Sequence, residues 1–190
     1  MRHHRLSLWM LVLLFVFASS LFGENDQLKY FLNKANSKSP ELSKKEKADL
    51  LNRIEEILGQ GHQIHARLTQ IIQSGETDLR YQEGRYWMSK LEKDRESIDV
   101  GIEQIKLLRE NPMHLIASIK LYKSLKDLSS NYNACNNMPA FSAHVGDLAP
   151  EMELWADPVL YKLYLLPLAE TKGSETKPPQ KKPVTKGKKS

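Results

Sequence analysis

The strongest constraint on this chain is a seam of positions in its first half. Leu50, Ile54, Ile57, Gly61, Ile64, Leu68 and Ile71 follow one another at alternating steps of four and three residues. That spacing places one residue per turn on a single stripe of an α-helix, and a strand, with its period of two, cannot satisfy it. Leu51, Leu58 and Ile72 run beside the stripe and widen it to what a packed helix needs. The run opens with SKKE, Ser43 to Glu46, whose serine and glutamate can each satisfy an orphan backbone N–H as a capping box. It should stop at Gly75. Gly59 and Gly61 each weaken a helix interior by about 1 kcal/mol relative to alanine. Either a neighbouring helix approaches closely at Gly61, or the helix bends there.

The same periodicity continues downstream. A second helix is expected from about Asp78 to Glu110, with Gly84, Met88, Leu91, Ile98, Ile102 and Ile105 in its seam and Arg95 in line with them. Both helices reach roughly 45 to 50 Å at about 1.5 Å per residue. Joined by the short SGET turn, they should pack as an antiparallel hairpin. A third helix is expected to start at Asn111 and Pro112, to carry Leu115, Ile116, Ile119, Tyr122, Leu125 and Leu128, and to end in NYNACNNMP. AFSAHVGDLAPEMELWAD reads as a loop. A last helix capped by Asp157 and Pro158 carries Leu160, Leu163, Tyr164 and Leu166, and Pro167 should end or kink it. A short helix around residues 27–35 precedes the hairpin. The expected fold class is all-α: an elongated antiparallel helical hairpin extended to a three- to five-helix bundle, followed by a disordered C-terminal tail.

Compartment follows from the opening residues. MRHHRL is positive, Leu8 to Ala18 is an unbroken run of eleven apolar residues, and Ala18 and Ser20 fit the pattern for cleavage before Leu21. A retained anchor would need roughly 20 apolar residues to cross the bilayer core. Residues 1–20 are therefore read as a signal peptide, 21–170 as a helical domain and 171–190 as a tail, in an exported chain that is periplasmic or secreted and able to sit peripherally on a membrane. The domain of about 150 residues is long enough to bury a real core. Cys135 is the only cysteine, so no internal disulfide exists, and its neighbours offer nothing that would lower a thiol pKa.

The net charge of +5 is unevenly spread. Two arginines lie in the first 20 residues, and seven lysines stand against Glu175 in the last 20, which leaves 21–170 at −3. The tail TKGSETKPPQKKPVTKGKKS has Val184 as its only apolar side chain and cannot bury enough surface to order itself. Lys177, Lys181, Lys182, Lys186, Lys188 and Lys189 are its expected contacts with an anionic surface such as phospholipid head groups. Export argues against nucleic acid as the ligand.

Candidate chemistry is sparse. His62 and His65 could share a helix face, but zinc needs four ligands and the others are not in view. HVGDLAPEMELWAD gathers His144, Asp147, Glu151, Glu153 and Asp157, residue types used in acid/base catalysis or cation binding, although the spacing matches no calcium loop or zinc motif. RYQEGRYWMSK interleaves aromatics and cations, with Tyr81 and Arg85 placed to stack. The last helix could lie in a membrane interface with Trp155, Tyr161 and Tyr164 at head-group level, or it could close the core. No nucleophile and base set, phosphate loop or haem attachment motif occurs, so neither cofactor nor metal is expected. The function read from these features is a non-enzymatic, exported interaction module with an unidentified protein partner and scope for self-association. The competing reading is a cation-binding protein or hydrolase using residues 144–157.

Overall fold

The computed structural model describes the backbone of residues 26–38 and 40–175, with side chains as far as Thr171. The expected signal peptide and the six tail lysines lie outside the described residues. Within them the chain is all-helical and contains no strand.

Residues 26–35 form α1 and Lys44–Ser74 form α2. The capping box at α2 is present: Ser43 Oγ accepts from the Glu46 N–H at 3.2 Å, and Glu46 Oε2 accepts from the Ser43 N–H at 2.7 Å. Glu46 also accepts from Lys34 Nζ at 2.7 Å and from the Tyr30 hydroxyl, which ties α1 to the start of α2. These donors, Lys34 first, hold the Glu46 carboxyl well below the usual carboxylate range. Gly75 ends the helix with a φ of 72°, a left-handed conformation that glycine adopts without Cβ strain.

The helix α3 spans Tyr81–Glu110 and starts three residues later than expected. Glu83 Oε2 accepts from the Arg80 N–H at 2.9 Å and so fixes that start. Its seam is also rotated from the expected one. The buried line is Trp87, Leu91, Asp94, Ile98, Gly101, Ile105 and Leu108, whereas Gly84, Met88 and Ile102 are half-buried and Arg95 is exposed. A polar Asp94 and a bare Gly101 occupy seam positions, which hides the register from a reading of apolar residues alone.

Contacts between α2 and α3 pair rising numbers with falling ones: Asn52 with Arg109, Leu58 with Gly101, Gly61 with Ile98. The two glycines explain the close approach. A Cβ on Gly61 would meet Ile98 Cδ1 and the Tyr132 hydroxyl at 3.2 Å, and one on Gly101 would meet Leu58 Cδ1 at 2.8 Å. Of the two expectations for Gly61, the close neighbour is therefore the one observed, and Tyr132 donates to the Gly61 carbonyl at 3.0 Å.

The next helix, α4, spans Leu115–Asn136. Asn111 and Pro112 do not open it. Asn111 Oδ1 accepts from the Met113 N–H at 3.2 Å and makes a turn, and His114 caps the helix by accepting at Nδ1 from the Ala117 N–H at 3.1 Å. The helix runs through NYNACN because Tyr132 and Cys135 continue the buried line of Leu121, Leu125 and Leu128.

The expected loop is helical too. Pro139–Val145 form α5 and Leu148–Leu154 form α6, with only Gly146 and Asp147 between them. Phe141, Val145, Leu148, Met152 and Trp155 are all buried at helical spacing, and burying each such side chain stabilises by about 1.5 to 3 kcal/mol. A π-helical segment, Trp155–Leu165, follows without a break, and α7 covers Leu166–Glu175. Asp157 and Pro158 therefore stand inside a helix and do not cap one. Pro158 has no N–H, and its ring crowds the carbonyl four residues back, so the ordinary ladder cannot pass through it. The helix widens instead, and at its end the Leu166 N–H reaches the Tyr161 carbonyl five residues back. Pro167 lies just past the junction of the π segment with α7, and the helix continues through it to Glu175 instead of ending there.

The centre of the structure is α4, which packs on α3, α5, α6 and the π segment, while α2 packs on α3, α5 and α6. No helix among the described residues is long and apolar enough to cross a membrane. Trp155 and Tyr164 are buried, so only Tyr161 of the three rings is free to face an interface.

Candidate functional site

Of the five residues of the acidic stretch the fold brings Glu153 and Asp157 together, at Lys126, and leaves the other three apart. His144 and Asp147 are exposed on separate turns, at the end of α5 and before α6. Glu151 faces inward and accepts from Arg53 Nη2 at 2.9 Å and from the Trp155 indole at 3.1 Å. Arg53, 2 % exposed, also bonds Glu56 Oε2 at 3.0 Å. One turn further round, Lys126 reaches Glu153 and, at 2.9 Å, Asp157, whose other oxygen accepts from the Tyr122 hydroxyl at 2.6 Å. The Tyr122 bond and Lys126 hold the Asp157 carboxyl below its ordinary range, and the two carboxylates raise the Lys126 ammonium. A carboxylate so held is a poor proton acceptor. The stretch joins α4, α6 and the π segment, and α2 through Arg53.

The two histidines do not form a shared site. His62 Nε2 lies 3.3 Å from Asp99 Oδ1 of α3, and burial lowers the His65 pKa. Among the described residues no three His, Cys, Asp or Glu side chains are arranged to hold a metal ion. Arg85 lies 6.0 Å over the Tyr81 ring as the sequence suggests, with Tyr81 itself 80 % exposed, while Trp87 packs edge-on to Phe141. Cys135 is buried, and desolvation pushes its thiol up to about 12, which leaves it almost wholly in the unreactive protonated form.

Asp94 is the most displaced acid of the interior. It is fully buried between α3 and α4, accepts from Asn131 Nδ2 at 2.6 Å through one oxygen and has no partner for Oδ2. Desolvation pushes its carboxyl up to about 6.

A cavity of about 440 Å³ is the arrangement that sequence reasoning missed. Pro112 of the turn after α3 is half-buried at its base, while Leu51 of α2, Leu108 of α3 and Tyr164 of the π segment lie beneath it with almost no exposed surface. The hydroxyl of Tyr164 already donates to the Pro112 carbonyl at 3.1 Å, so the ring presents only its apolar part. Burial raises that phenol to about 12 and keeps it neutral. Three cations surround the base: Lys44, Lys47 and Arg109. Arg109 is engaged by Glu55 at 2.6 Å and Asn52 at 2.8 Å. Lys47 stands 5.6 Å over the Tyr164 ring, and neither it nor Lys44 forms an ion pair among the described residues. Size and lining fall within the range of small-ligand sites, about 300 to 1,000 Å³ and mostly apolar with a few convergent polar groups. No local motif announces it, since its walls are more than 100 residues apart in sequence.

No protein family, curated protein or solved structure matches the chain.

Proposed function

We propose that the protein is an exported, non-enzymatic helical module of the cell envelope, built as an elongated antiparallel hairpin extended to a bundle, whose lysine-rich C-terminal segment contacts an anionic surface. The observation that carries this reading is the segregation of charge: a net +6 in the last 20 residues follows a body at −3. Each lysine close to an anionic membrane contributes about 1 kcal/mol, so six acting together suffice for reversible attachment. The opening apolar run supports export. The internal engagement of Glu151, Glu153 and Asp157 supports a structural use of the acidic stretch. Met113, Ile116 and Ile119 on and before α4 are 46 to 62 % exposed and offer apolar surface to a protein partner or a second copy.

The test is co-sedimentation of the mature full chain with vesicles of phosphatidylglycerol and phosphatidylcholine. Binding is expected to anionic vesicles only, to be reversed by salt, and to be lost when Lys177, Lys181, Lys182, Lys186, Lys188 and Lys189 are replaced by glutamine. Unchanged binding of that variant, or equal binding to neutral vesicles, would overturn the proposal.

A further inference from the structure

We infer that Asp94 is a pH-sensitive latch between α3 and α4: with its carboxyl protonated the two helices stay closed, and with it ionised the last turns of α4, from Asn131 to Asn136, part from α3. This does not depend on the envelope reading.

The placement of Asp94 is what makes a latch of it. The residue stands in the buried line of α3 between Leu91 and Ile98 and is fully buried against α4. A carboxylate there has exchanged water for one side-chain donor, Asn131 Nδ2 at 2.6 Å from Oδ1, and Oδ2 meets no donor among the described residues. Asn131 also serves α3 a second time, since its Oδ1 accepts from Lys90 Nζ at 3.3 Å. The groups that face Asp94 are Lys90 of α3 and Asn131, Tyr132 and Cys135 of α4. Lys90 is the one cation that favours ionisation, and desolvation outweighs it. Tyr132 and Cys135 are buried and neutral, and the Tyr132 hydroxyl already donates to the Gly61 carbonyl of α2. His65 of α2 feels Glu92, Arg95, Asp99 and His62 instead of Asp94. A buried charge so poorly met is relieved by water, and lifting the adjacent end of a helix admits water at less cost than unfolding the bundle. Asn131 lies within the last two turns of α4, which carry no basic residue in the final turn to complement the helix dipole. The closed carboxyl titrates at about 6 and an open one near 3.8, so opening increases as pH rises from about 4 to 6 and levels off above.

Cys135 reports on the latch, because it is 1 % exposed, lies one turn beyond Asn131 and becomes reactive only when that end of α4 opens. The test is the rate at which the full chain reacts with 4,4′-dithiodipyridine, a reagent that takes thiols at acid and neutral pH alike, for the natural chain and for Asp94→Asn at pH 4 and pH 7. The ratio of the two rates cancels the intrinsic reactivity of the thiol and the titration of Glu46 and Asp157 elsewhere in the fold. It is expected to rise by at least about tenfold between the two pH values. Asp94→Leu removes the charge and the hydrogen bond together and should give the same rise. Hydrogen exchange reads the event without a substitution: protection of amides 131–136, corrected for intrinsic rates, should fall by at least about tenfold from pH 4 to pH 7, while that of Ile54 to Leu58 in α2 holds. A ratio independent of pH, no labelling at either pH, or an equal loss of protection in α2 would overturn the latch, the last by making Asp94 a group that sets overall stability alone.

Discussion

The acidic stretch at 147–157 and the opening turns of α2 hold similar numbers of charged side chains, and the fold treats them differently. Glu151, Glu153 and Asp157 are each met by a cation from another helix, Arg53 or Lys126, with Tyr122 and Trp155 adding donors. Lys44 and Lys47 meet no carboxylate, and the surface beside them is a hollow and not a packed helix. A charge whose partner is supplied from within is part of the scaffold. One left without a carboxylate, as Lys44 and Lys47 are, stays solvated and outside the scaffold. Residue type had pointed the other way for the acids, since clustered acids resemble chemistry.

The comparison breaks first at Arg53. Arg53 is buried while its partners Glu151 and Glu56 keep 27 % and 63 % exposure, so removing it costs less than the loss of a fully buried pair, about 2 to 3 kcal/mol with the stem's packing included. Arg53→Ala should therefore lower the melting temperature by about 5 to 10 °C, and a shift of only a degree or two would show that the acidic stretch is not a structural joint.

Asp94 sharpens the comparison as an acid given too few partners. Its folded pKa, about 6, lies above the ordinary 3.8, so the folded state holds the proton more tightly. Its contribution to stability is complete below the ordinary value, falls as pH rises towards 6, and is absent above. Asp94→Asn keeps an acceptor for Asn131 and removes the charge. It should stabilise the protein at pH 8 by up to about 3 kcal/mol and give little gain at pH 4. Denaturant titrations at the two pH values check this, and a gain independent of pH would contradict it. At the small end, the paired Lys44→Gln and Lys47→Gln variant should change stability by no more than about 0.5 kcal/mol, since no packed contact is lost apart from that over Tyr164.

How much of this was legible follows from where the signals lie. The start and end of α2 were readable because their causes are local: Ser43 and Glu46 are three residues apart, and Gly75 acts alone. The register of α3 was not, because the close approach of two helices favours Gly101, and Asp94 is accommodated by Asn131 from another helix. In 139–155 the buried Phe141, Val145, Leu148, Met152 and Trp155 carried a helical period, but Pro139, Gly146 and Pro150 punctuate it and made the stretch read as a loop. Pro158 likewise has the local look of a helix start, yet a wider helix absorbs it. The cavity had no sequence signal, since Lys47 and Tyr164 acquire meaning only once α2 and the π segment lie side by side.

The central claim, that an exported chain is held to an anionic envelope surface by its last lysines, is tested most directly by fractionating the source cells, washing membranes with salt and taking the intact mass of the released chain. The account predicts a chain beginning at or near Leu21 that stays with membranes at low salt and leaves them at high salt. A full-length chain that resists the wash, or a chain found in the soluble fraction before any salt is added, would contradict it.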